Sequence, residues 1–429
     1  MTNFVEELRW RGLLHDIMPE TEAHLLEHAT AGYIGFDPTA DSLHIGSLVP
    51  IIILMHFQKC GHKPIVLVGG ATGMIGDPSG KSNERNLLSQ DDLDKNIKGI
   101  HKQLSKFLNF DSDNKNSAVL CNNNDWFQDI NLIDFIRDTG KYITVNYMIA
   151  KESVKKRLSK DSTVGMSFTE FSYQLIQAYD FYHLFSKKNC LIQMGGSDQW
   201  GNITSGVELI RKKSGKKAYA LTCPLITKAD GTKFGKTEDG NVWLDRDKTS
   251  PYKFYQYWLN ISDDDAKKYI KIFTFYTIDD INKFIKKHDE APHQRFLQNT
   301  IAEFLTKLVH SDLDLKNSIT ATNILFGKST SEDLNNLDEK TFLDIFEGVP
   351  SINISFKEIE KSSSVQDFLH KAEFLSSKSE IIRALKQNSI SINKEKVDSS
   401  YVISKENLIC EKYILAQRGK KNYYLISFN

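Results

Sequence analysis

The sequence predicts an α/β protein in which a parallel-sheet domain comes first, an α-helical domain follows, and a small α+β domain ends the chain. Two apolar runs at 33–36 and 64–68 are typical of strands, and an apolar helix at 48–59 connects them, which is the pattern of a βαβ unit. Residues 251–325 show the apolar spacing of helices, whereas residues 355–429 combine two amphipathic helices with a hairpin pattern.

Length and composition indicate a globular protein of more than one domain. At 429 residues and 49.0 kDa the chain is too long for a single ordinary core, so two or three domains are expected. Hydrophobic residues make up 40% and charged residues 26%, as in soluble proteins. The formal net charge is zero, so any contact with a nucleic acid must come from a local basic patch.

The cysteines and the apolar runs favour a cytoplasmic protein. The five cysteines have no paired spacing, which argues against a zinc site or a disulfide framework and favours a reducing compartment. The longest apolar run, residues 48–55, contains Pro50 and is too short to cross a bilayer. The N-terminus has no basic and apolar signal pattern, so neither export nor a membrane span is expected. The cysteines are Cys60, Cys121, Cys190, Cys223 and Cys410.

The first strand leads into a helix whose start has the residues of an anion site. Residues 4–29 predict amphipathic helices separated at Pro19, and the strand at 33–36 follows. His44 and Gly46 then open the next helix, where free N–H groups and the helix dipole favour a negative charge. Gly46 would let a nucleotide approach the backbone, and His44 could reach a phosphate. A single His-x-Gly sequence is also common at ordinary helix starts.

Two glycine-rich turns follow predicted buried strands. The strand at 64–68 ends in the turn 69–81, and the strand at 191–194 ends in the turn 195–202. Ligands of open α/β sheets bind at such carboxyl ends of strands. Helices are predicted at 91–110 and 128–160, and Ser167 and Glu170 have the spacing of a capping box. The helix that follows places four polar side chains on one face, which is either a solvent face or a pocket lining. They are Tyr173, Gln177, Asp180 and His183.

A short lysine-rich segment lies about 190 residues after the first motif. The lysine loop, Lys233-Phe234-Gly235-Lys236-Thr237, places two ammonium groups on either side of a glycine. This arrangement favours a mobile cationic clamp for a polyphosphate, although a solvated charged loop has the same composition.

The two motifs together resemble the paired HIGH and KMSKS signatures of class I aminoacyl-tRNA synthetases. The residues between them resemble the bacterial-type tyrosyl-tRNA synthetases, over most of residues 30–245. The resemblance implies an enzyme that activates L-tyrosine with ATP to tyrosyl-AMP and pyrophosphate. It would then transfer tyrosine to the 3′-terminal ribose of tRNA(Tyr). The alternative is a synthetase-like RNA-binding protein with lost or reduced activation, for which Ser47, in place of the motif's second histidine, is the sequence support.

The same resemblance assigns roles to individual residues. Those implied to bind tyrosine are Tyr33, Asp77, Tyr173, Gln177, Asp180 and Gln199. Those implied to bind ATP are Asp37, Gly46, Gly196, Asp198 and Lys236. Those implied to act on the phosphates during catalysis are Thr39, His44, Ser47, Lys81, Arg85, Lys233, Lys236 and Thr237.

The resemblance also implies the domain order, the cofactor and the partners. A Rossmann-like catalytic domain would span residues 1–225, and the lysine loop with a helical anticodon-side domain 226–330. Residues 331–350 carry six acidic residues against one lysine, which predicts an acidic linker at 331–354. The resemblance then implies an S4-like RNA-binding domain at 355–429. Residues 351–429 contain 13 Lys and Arg against 9 Asp and Glu, a net charge of +4 that suits RNA. Mg²⁺ would arrive with ATP, no protein-bound zinc is expected, and a homodimer is implied.

Overall fold

The computed structural model describes residues 3–77, 89–111, 113–151, 154–155, 166–232, 234–237, 240–325, 331–357, 364–419 and 422–429. At Gln90, Lys236, Thr237 and Leu325 the description covers the backbone alone. The chain divides into two compact units. The first comprises Met1–Asp245 and Ile261–Ile301, and the second comprises Arg246–Asn260 and Ala302–Asn429. This division uses different boundaries from the sequence-based domains, which stay a prediction.

The described part of the first unit contains a parallel sheet of five strands, as the fold class predicts. Their order is β3-β2-β1-β4-β5, and each neighbouring pair runs parallel. The chain order reverses beside β1, because β2 lies on one side of it and β4 on the other. The strands are β1 (Ala31–Phe36), β2 (Lys63–Val68), β3 (Val119–Asn122), β4 (Cys190–Gly196) and β5 (Tyr219–Cys223).

The helices before and between these strands follow the expected local signals. The longest, α9, begins at a complete capping box in which Ser167 and Glu170 bond each other's backbone, and it ends at Asn189 in the left-handed conformation. The helices are α1 (Phe4–Arg11), α2 (Thr21–Glu27), α3 (Leu48–Lys59), α4 (Gly70–Gly73), α5 (Gln90–Leu104), α6 (Asn124–Phe127), α7 (Leu132–Asp138), α8 (Val145–Ile149), α9 (Phe168–Lys188) and α10 (Trp200–Ser214).

Two parts of this sheet differ from the sequence prediction. Strands β3 and β5 are absent from that prediction, although both pair fully with their neighbours. Helices were expected at 128–160, and the described residues there contain two short ones, α7 and α8. Each begins at its own polar cap, Asn131 and Thr144, which interrupts the helical run.

The helices after the lysine loop belong partly to each unit. In chain order they are α11 (Pro251–Leu259), α12 (Asp263–Phe273), α13 (Ile278–Glu290), α14 (Phe296–Val309) and α15 (Asp312–Leu325). The lysine loop itself contributes the backbone of a two-stranded ladder between β6 (Lys236–Thr237) and β7 (Gly240–Asn241).

The second unit contains a mixed sheet with an apolar core on each face. Its order is β10-β9-β11-β12-β8, and β11 and β12 form the predicted antiparallel pair. One face packs on α18 and α19, and the other on α15 to α17 with Tyr252 of α11. The strands are β8 (Ser351–Ile354), β9 (Ile390–Ile392), β10 (Glu395–Lys396), β11 (Tyr413–Arg418) and β12 (Asn422–Phe428). The helices are α16 (Ser331–Asn335), α17 (Glu339–Ile345), α18 (Val365–Lys371) and α19 (Lys378–Lys386).

The acidic segment at 331–354 is folded in this unit. It contains α16, α17 and β8, and Leu334 and Phe342 are fully buried in the second core. The six acidic side chains that suggested a linker alternate with the apolar residues that make this core. Among the helices described, none has the length and apolar character to span a membrane.

Candidate active site

A cavity of about 570 Å³ opens at the carboxyl ends of β1 and β4. This position is the one expected for a ligand, because the strand order reverses between these two strands and leaves a crevice there. Of the predicted site residues, ten line the cavity: Tyr33, Asp37, His44, Gly46, Asp77, Tyr173, Gln177, Asp180, Gly196 and Gln199.

A buried carboxyl group and a buried phenol lie in the wall of the cavity. Asp180 is 1% exposed, and its carboxylate accepts hydrogen bonds from Asn123 Nδ2 at 3.1 Å and from Trp126 Nε1 at 3.0 Å. Burial raises the pKa of Asp180 to about 8, although these two hydrogen bonds act to lower it. Tyr33 is equally buried, and burial, with Asp180 nearby, raises the pKa of its hydroxyl well above the usual value.

The Tyr33 hydroxyl has no hydrogen-bond partner among the described residues. An unpaired buried hydroxyl is costly, and such groups usually mark a place that a ligand or an ordered water completes. The side chain faces a cavity and is close enough to Asp180 for their charges to interact. The pair therefore offers a donor and an acceptor to a polar group that enters between apolar walls.

A network of amide groups lines the cavity beside this pair. Gln199 Nε2 donates to Asp77 Oδ2 at 2.6 Å, and Asn202 Nδ2 donates to Gln177 Oε1 at 2.9 Å. Gln177 Nε2 is 3.4 Å from Gln199 Oε1, which closes the network. Asp77 lies within the glycine-rich turn 69–81, Gln177 belongs to α9, and Gln199 follows β4. Three separate segments thus meet here and place a carboxylate among hydrogen-bonded amide groups.

The start of helix α3 also lines the cavity. His44 precedes the helix, and its Nδ1 accepts the N–H of Gly46 at 3.0 Å. A Cβ at position 46 would lie 2.7 Å from the His44 ring, so any larger residue would force that ring to move. Gly35, on β1, also borders the cavity, and a Cβ there would meet no atom within 4 Å. The backbone is therefore open to a ligand along this edge.

The other residues predicted to contact the phosphates or the ribose either lie outside the cavity lining or fall outside the described residues. Thr39 is exposed, Ser47 is half-buried, and neither is part of the lining, nor is Asp198. Asp198 lies beside Gly196, where a Cβ would be 2.6 Å from its Oδ1. Lys81, Arg85 and Lys233 lie outside the described residues, as do the side chains of Lys236 and Thr237. His183, on the same face of α9 as Asp180, stacks instead on Trp126 at a centroid distance of 4.3 Å.

The described backbone of the lysine loop lies beside the start of α3. Gly235 has a φ of +91°, and a Cβ there would be 3.3 Å from Ile45 Cγ1 and 3.4 Å from the Gly46 nitrogen. The N–H of Ile45 donates to the carbonyl of Val242 at 2.9 Å, and the N–H of Leu244 donates to that of Leu43 at 2.8 Å. The two motifs that are 190 residues apart in sequence therefore meet at one edge of the cavity.

Three residues of the cavity region were missed by the sequence analysis. Asn123 and Trp126 hold Asp180, and Gln193 faces Tyr33 across the β1–β4 ladder with its buried Oε1 unpaired among the described residues. Asn123 also accepts the Ala71 N–H at 2.7 Å. The available signal was the short apolar run at 118–121 followed by three asparagines, which is a strand ending in polar residues. Among the described residues, no group of three or more metal-ligating side chains occurs.

Comparison with known proteins places this fold and site in one class. The family model "tRNA synthetases class I (W and Y)" matches residues 26–327. The model "Tyrosine--tRNA ligase SYY-like C-terminal domain" matches residues 341–426. A class I aminoacyl-tRNA synthetase is therefore the class that the sheet, the cavity and the two converging motifs define.

Individual relatives narrow the class further. The tyrosine–tRNA ligase of Flavobacterium johnsoniae is 58% identical over 99% of both chains, and that of Flavobacterium psychrophilum is 59% identical over 100% of both. A solved C-terminally truncated mitochondrial tyrosyl-tRNA synthetase from Aspergillus nidulans has 31% identity and a TM-score of 0.66, covering 76% of this chain and 94% of its own. The chain belongs to the tyrosine–tRNA ligase family.

Proposed function

We propose that this chain activates L-tyrosine with ATP and transfers the tyrosine to tRNA(Tyr). In the first step the amino-acid carboxylate attacks the α-phosphate, giving tyrosyl-AMP and pyrophosphate. In the second step the 3′-terminal ribose hydroxyl of the tRNA attacks the acyl carbon and releases AMP. The observation that carries this proposal is the buried Tyr33–Asp180 pair in the cavity wall, because it offers hydrogen bonds to a phenol and none to a plain phenyl ring.

The tyrosine substrate would lie with its phenol at Tyr33 and Asp180. Its ammonium group would face Asp77, Tyr173 and Gln177, and its carboxylate would lie near Gln199. The carboxylate of Asp77 supports this orientation, since it lies in the amide network and can balance the ammonium charge. Holding both ends of the amino acid fixes the carboxylate for attack, and a reactant held in its reactive geometry reacts faster because its orientational entropy is lost on binding.

ATP would extend from this network toward the start of α3. Gly196 and Asp198 would bind the ribose, while Asp37 and Gly46 would border the nucleotide. Thr39 and His44 would contact the γ-phosphate, and Ser47 supplies a shorter donor than the histidine of the family motif. The open backbone at Gly35 and the close Gly46–His44 contact support a nucleotide path along this edge.

Cationic side chains would stabilise the departing pyrophosphate. We assign this role to Lys81, Arg85, Lys233 and Lys236, with Thr237 as a further donor. Charge develops on pyrophosphate only as the α-phosphate bond breaks, so such contacts act mainly in the transition state. The position of the Gly235 backbone against Gly46 supports this assignment, because it brings the lysine loop to the phosphate end of the cavity.

Mg²⁺ would be held mainly by ATP. The acidic residues of the lining are Asp37, Asp77 and Asp180, and the last two are engaged by amide or indole donors. Mg²⁺ commonly keeps phosphate and water ligands in such sites, and it neutralises phosphate charge when bound. The donor set around the cavity fits this mode better than a protein cage.

The partners beyond tyrosine and ATP are tRNA(Tyr) and a second copy of the chain. The basic C-terminal residues 351–429 would contact the tRNA. Helices α7 and α8 carry large exposed apolar side chains, a feature of association surfaces. The most exposed of them are Leu132 (69% exposed), Ile133 (68%), Val145 (59%) and Ile136 (53%). We propose a homodimer of the first unit, and a cytoplasmic protein of translation.

The dimer is tested by measuring mass in light scattering. Ile133→Asp should shift the protein toward the monomer mass, because it places a charge in the apolar surface. The matched control is Leu313→Asp, because Leu313 is a 66% exposed side chain of α15 in the second unit. This substitution should leave the mass unchanged. Equal masses for the wild type and both variants at dilute concentration would contradict the proposal that α7 and α8 form the dimer interface.

An assay of pyrophosphate exchange distinguishes an active enzyme from an RNA-binding relative that does not activate tyrosine. Labelled pyrophosphate should enter ATP when L-tyrosine is added and should not do so without it. The intact Tyr33, Asp77, Tyr173 and Asp180 favour activity over the alternative that Ser47 suggested. Binding of tRNA(Tyr) without any exchange would instead support the alternative.

A further inference from the structure

Helix α12 (Asp263–Phe273) holds the chain just before the lysine loop. The N–H of Ala229 donates to Asp265 Oδ1 at 2.9 Å. The carbonyl of Thr227, a residue that lines the cavity, accepts from Tyr269 Oη at 3.3 Å and from Lys268 Nζ at 3.2 Å. The turn at 228–232 that leads into the lysine loop is therefore fixed at its first residues to one face of the helix.

The same helix also holds the chain within the lysine loop. The ring of Phe234 stacks on Phe273 with a centroid distance of 5.2 Å and an interplanar angle of 20°. It also meets Tyr269 edge to face, at 5.1 Å and 66°. Tyr269 and Phe273 are both fully buried, so they provide a rigid surface. Aromatic pairs of this geometry contribute about 0.5–1.5 kcal/mol each beyond the burial of their area.

The C-terminal end of α12 is itself fixed. The buried guanidinium of Arg11 donates to the carbonyls of Lys271 and Thr274 at 2.7 Å each and to that of Tyr276 at 2.8 Å. These carbonyls belong to the last turn of the helix and the segment after it, which would otherwise lack partners. Arg11 thereby connects the end of α12 to the N-terminal helix of the same unit.

We propose that α12 is a platform for the lysine loop and that Phe234 is the positioning residue by which the loop is mounted on it. The proposal rests on the proposed function. Lys233 and Lys236 lie one residue before and two residues after Phe234. The Phe234 ring is fixed on α12 on one side, and Gly235 lies against Gly46 on the other, so the described backbone between the two lysines in sequence is held in place. Donors fixed in advance stabilise developing charge better than donors that must first be ordered.

The competing explanation is that the aromatic contacts contribute only to the stability of the unit. The two explanations differ in how Phe234 interacts with Lys236. A positioning residue acts through the lysine, so its replacement should matter little once the lysine is gone. A purely structural residue should have the same effect in both backgrounds, since non-interacting sites are additive.

The experiment is a double-mutant cycle on the full-length protein. Phe234→Leu is made in the wild-type chain and in Lys236→Ala, and the rate constant of tyrosyl-AMP formation is measured before the steady state. Tyr269→Phe is a milder second variant, because it keeps the ring and removes the hydroxyl that donates to Thr227. Phe284→Leu is the matched control, since Phe284 makes comparable ring contacts with Tyr276 and Phe296 in the same unit.

We expect Phe234→Leu to lower the rate constant by about 10–10²-fold in the wild-type chain, the scale of a displacement of roughly 1 Å. We expect less than a threefold further loss in the Lys236→Ala background, a smaller loss for Tyr269→Phe, and an unchanged KM for tyrosine. Phe284→Leu should match the wild type in rate. These results together would support the platform.

Three results would overturn it: a wild-type rate for Phe234→Leu, an equal fold loss in both backgrounds, or a loss seen mainly as a raised KM for tyrosine. In each of these cases wild type and Phe284→Leu still activate tyrosine, so the proposed function survives. If the wild-type chain itself forms no tyrosyl-AMP, the proposed function fails and the platform fails with it.

Discussion

Replacing Tyr33 with phenylalanine should make the unliganded protein more stable and also less selective for L-tyrosine. The hydroxyl of Tyr33 is buried at 1% exposure and has no hydrogen-bond partner among the described residues. In the absence of substrate this group is a cost to folding. In the presence of L-tyrosine it gains the phenol of the substrate as a partner. The variant Tyr33→Phe removes both the cost and the gain.

The magnitudes follow from the energetics of hydrogen bonds. A buried polar group without a partner costs about 1–3 kcal/mol, so Tyr33→Phe should stabilise the unliganded protein by a similar amount. A unit of this size gains about 2 °C or more in melting temperature per kcal/mol. A neutral hydrogen bond contributes about 0.5–1.5 kcal/mol, so kcat/KM for L-tyrosine should fall by roughly 2- to 13-fold. The value for L-phenylalanine should stay unchanged.

The assay combines thermal unfolding without ligands and pyrophosphate exchange with each amino acid. Tyr219→Phe is the matched control, because Tyr219 lies on β5, is half-buried and does not line the cavity. It should leave the tyrosine-to-phenylalanine ratio unchanged. A lower melting temperature for Tyr33→Phe together with an unchanged ratio would refute the reasoning, because the hydroxyl would then be a satisfied part of the core.

Three further predictions concern other parts of the molecule. Burial raises the folded-state pKa of Asp180 to about 8, so its contribution to stability is complete below about pH 4 and is lost as the pH rises to 8. In urea unfolding, the free energy of unfolding of Asp180→Asn should rise relative to that of the wild type by up to about 1.4 kcal/mol per pH unit across that window. A difference that does not change with pH would contradict this prediction. Lys236→Ala should lower the rate constant of tyrosyl-AMP formation by about 10²-fold or more, with little change in KM for tyrosine, and a near-wild-type rate would show that the loop does not act on pyrophosphate. A chain ending at residue 325 should still form tyrosyl-AMP but should charge tRNA poorly. It should also expose Tyr252 and Ile324, whose core the truncation removes. Loss of tyrosyl-AMP formation in a folded truncated protein would show that the C-terminal residues are needed for activation as well.

The parts of the fold that were predicted are those with strong local signals. Strands β1, β2 and β4 are apolar runs that end in glycine-rich or Pro-containing turns, and α9 begins at a capping box. Strands β3 and β5 are short, and β3 is half-buried along most of its length, so its apolar pattern is weak. The order of the sheet depends on contacts between distant segments, which no local pattern specifies. The βαβ pattern was enough to predict a parallel sheet but not its β3-β2-β1-β4-β5 order.

The acidic segment at 331–354 shows how composition can mislead. Its charge suggested a linker, but Leu334 and Phe342 are spaced along it so that they reach one core. That core is completed by Ile409, Tyr413 and other residues near the end of the chain, and their pairing depends on tertiary structure. Charge and helical periodicity coexist in a half-buried helix, so charge alone could not decide between a linker and a folded segment.

Only some residues of the candidate site could be proposed from the sequence. Asp77, Gln177 and Gln199 were proposed from three separate segments, and their side chains meet in one network. Asn123 and Trp126 were not proposed, because the short apolar run before them is only a weak strand signal and because they act by holding Asp180. A residue whose role is to orient another residue has no motif of its own, and only the three-dimensional contact identifies it.

The most direct test of the central claim is the ratio of kcat/KM for L-tyrosine to that for L-phenylalanine in pyrophosphate exchange. Sites that hydrogen-bond a substrate hydroxyl reject the analogue that lacks it by about 10⁴–10⁵-fold, a range for which a tyrosyl enzyme is itself the standard example. The buried Tyr33–Asp180 pair predicts a ratio in this range for the wild-type chain. Exchange that is absent, or that proceeds equally with both amino acids, would contradict the assignment of this pair and of the reaction.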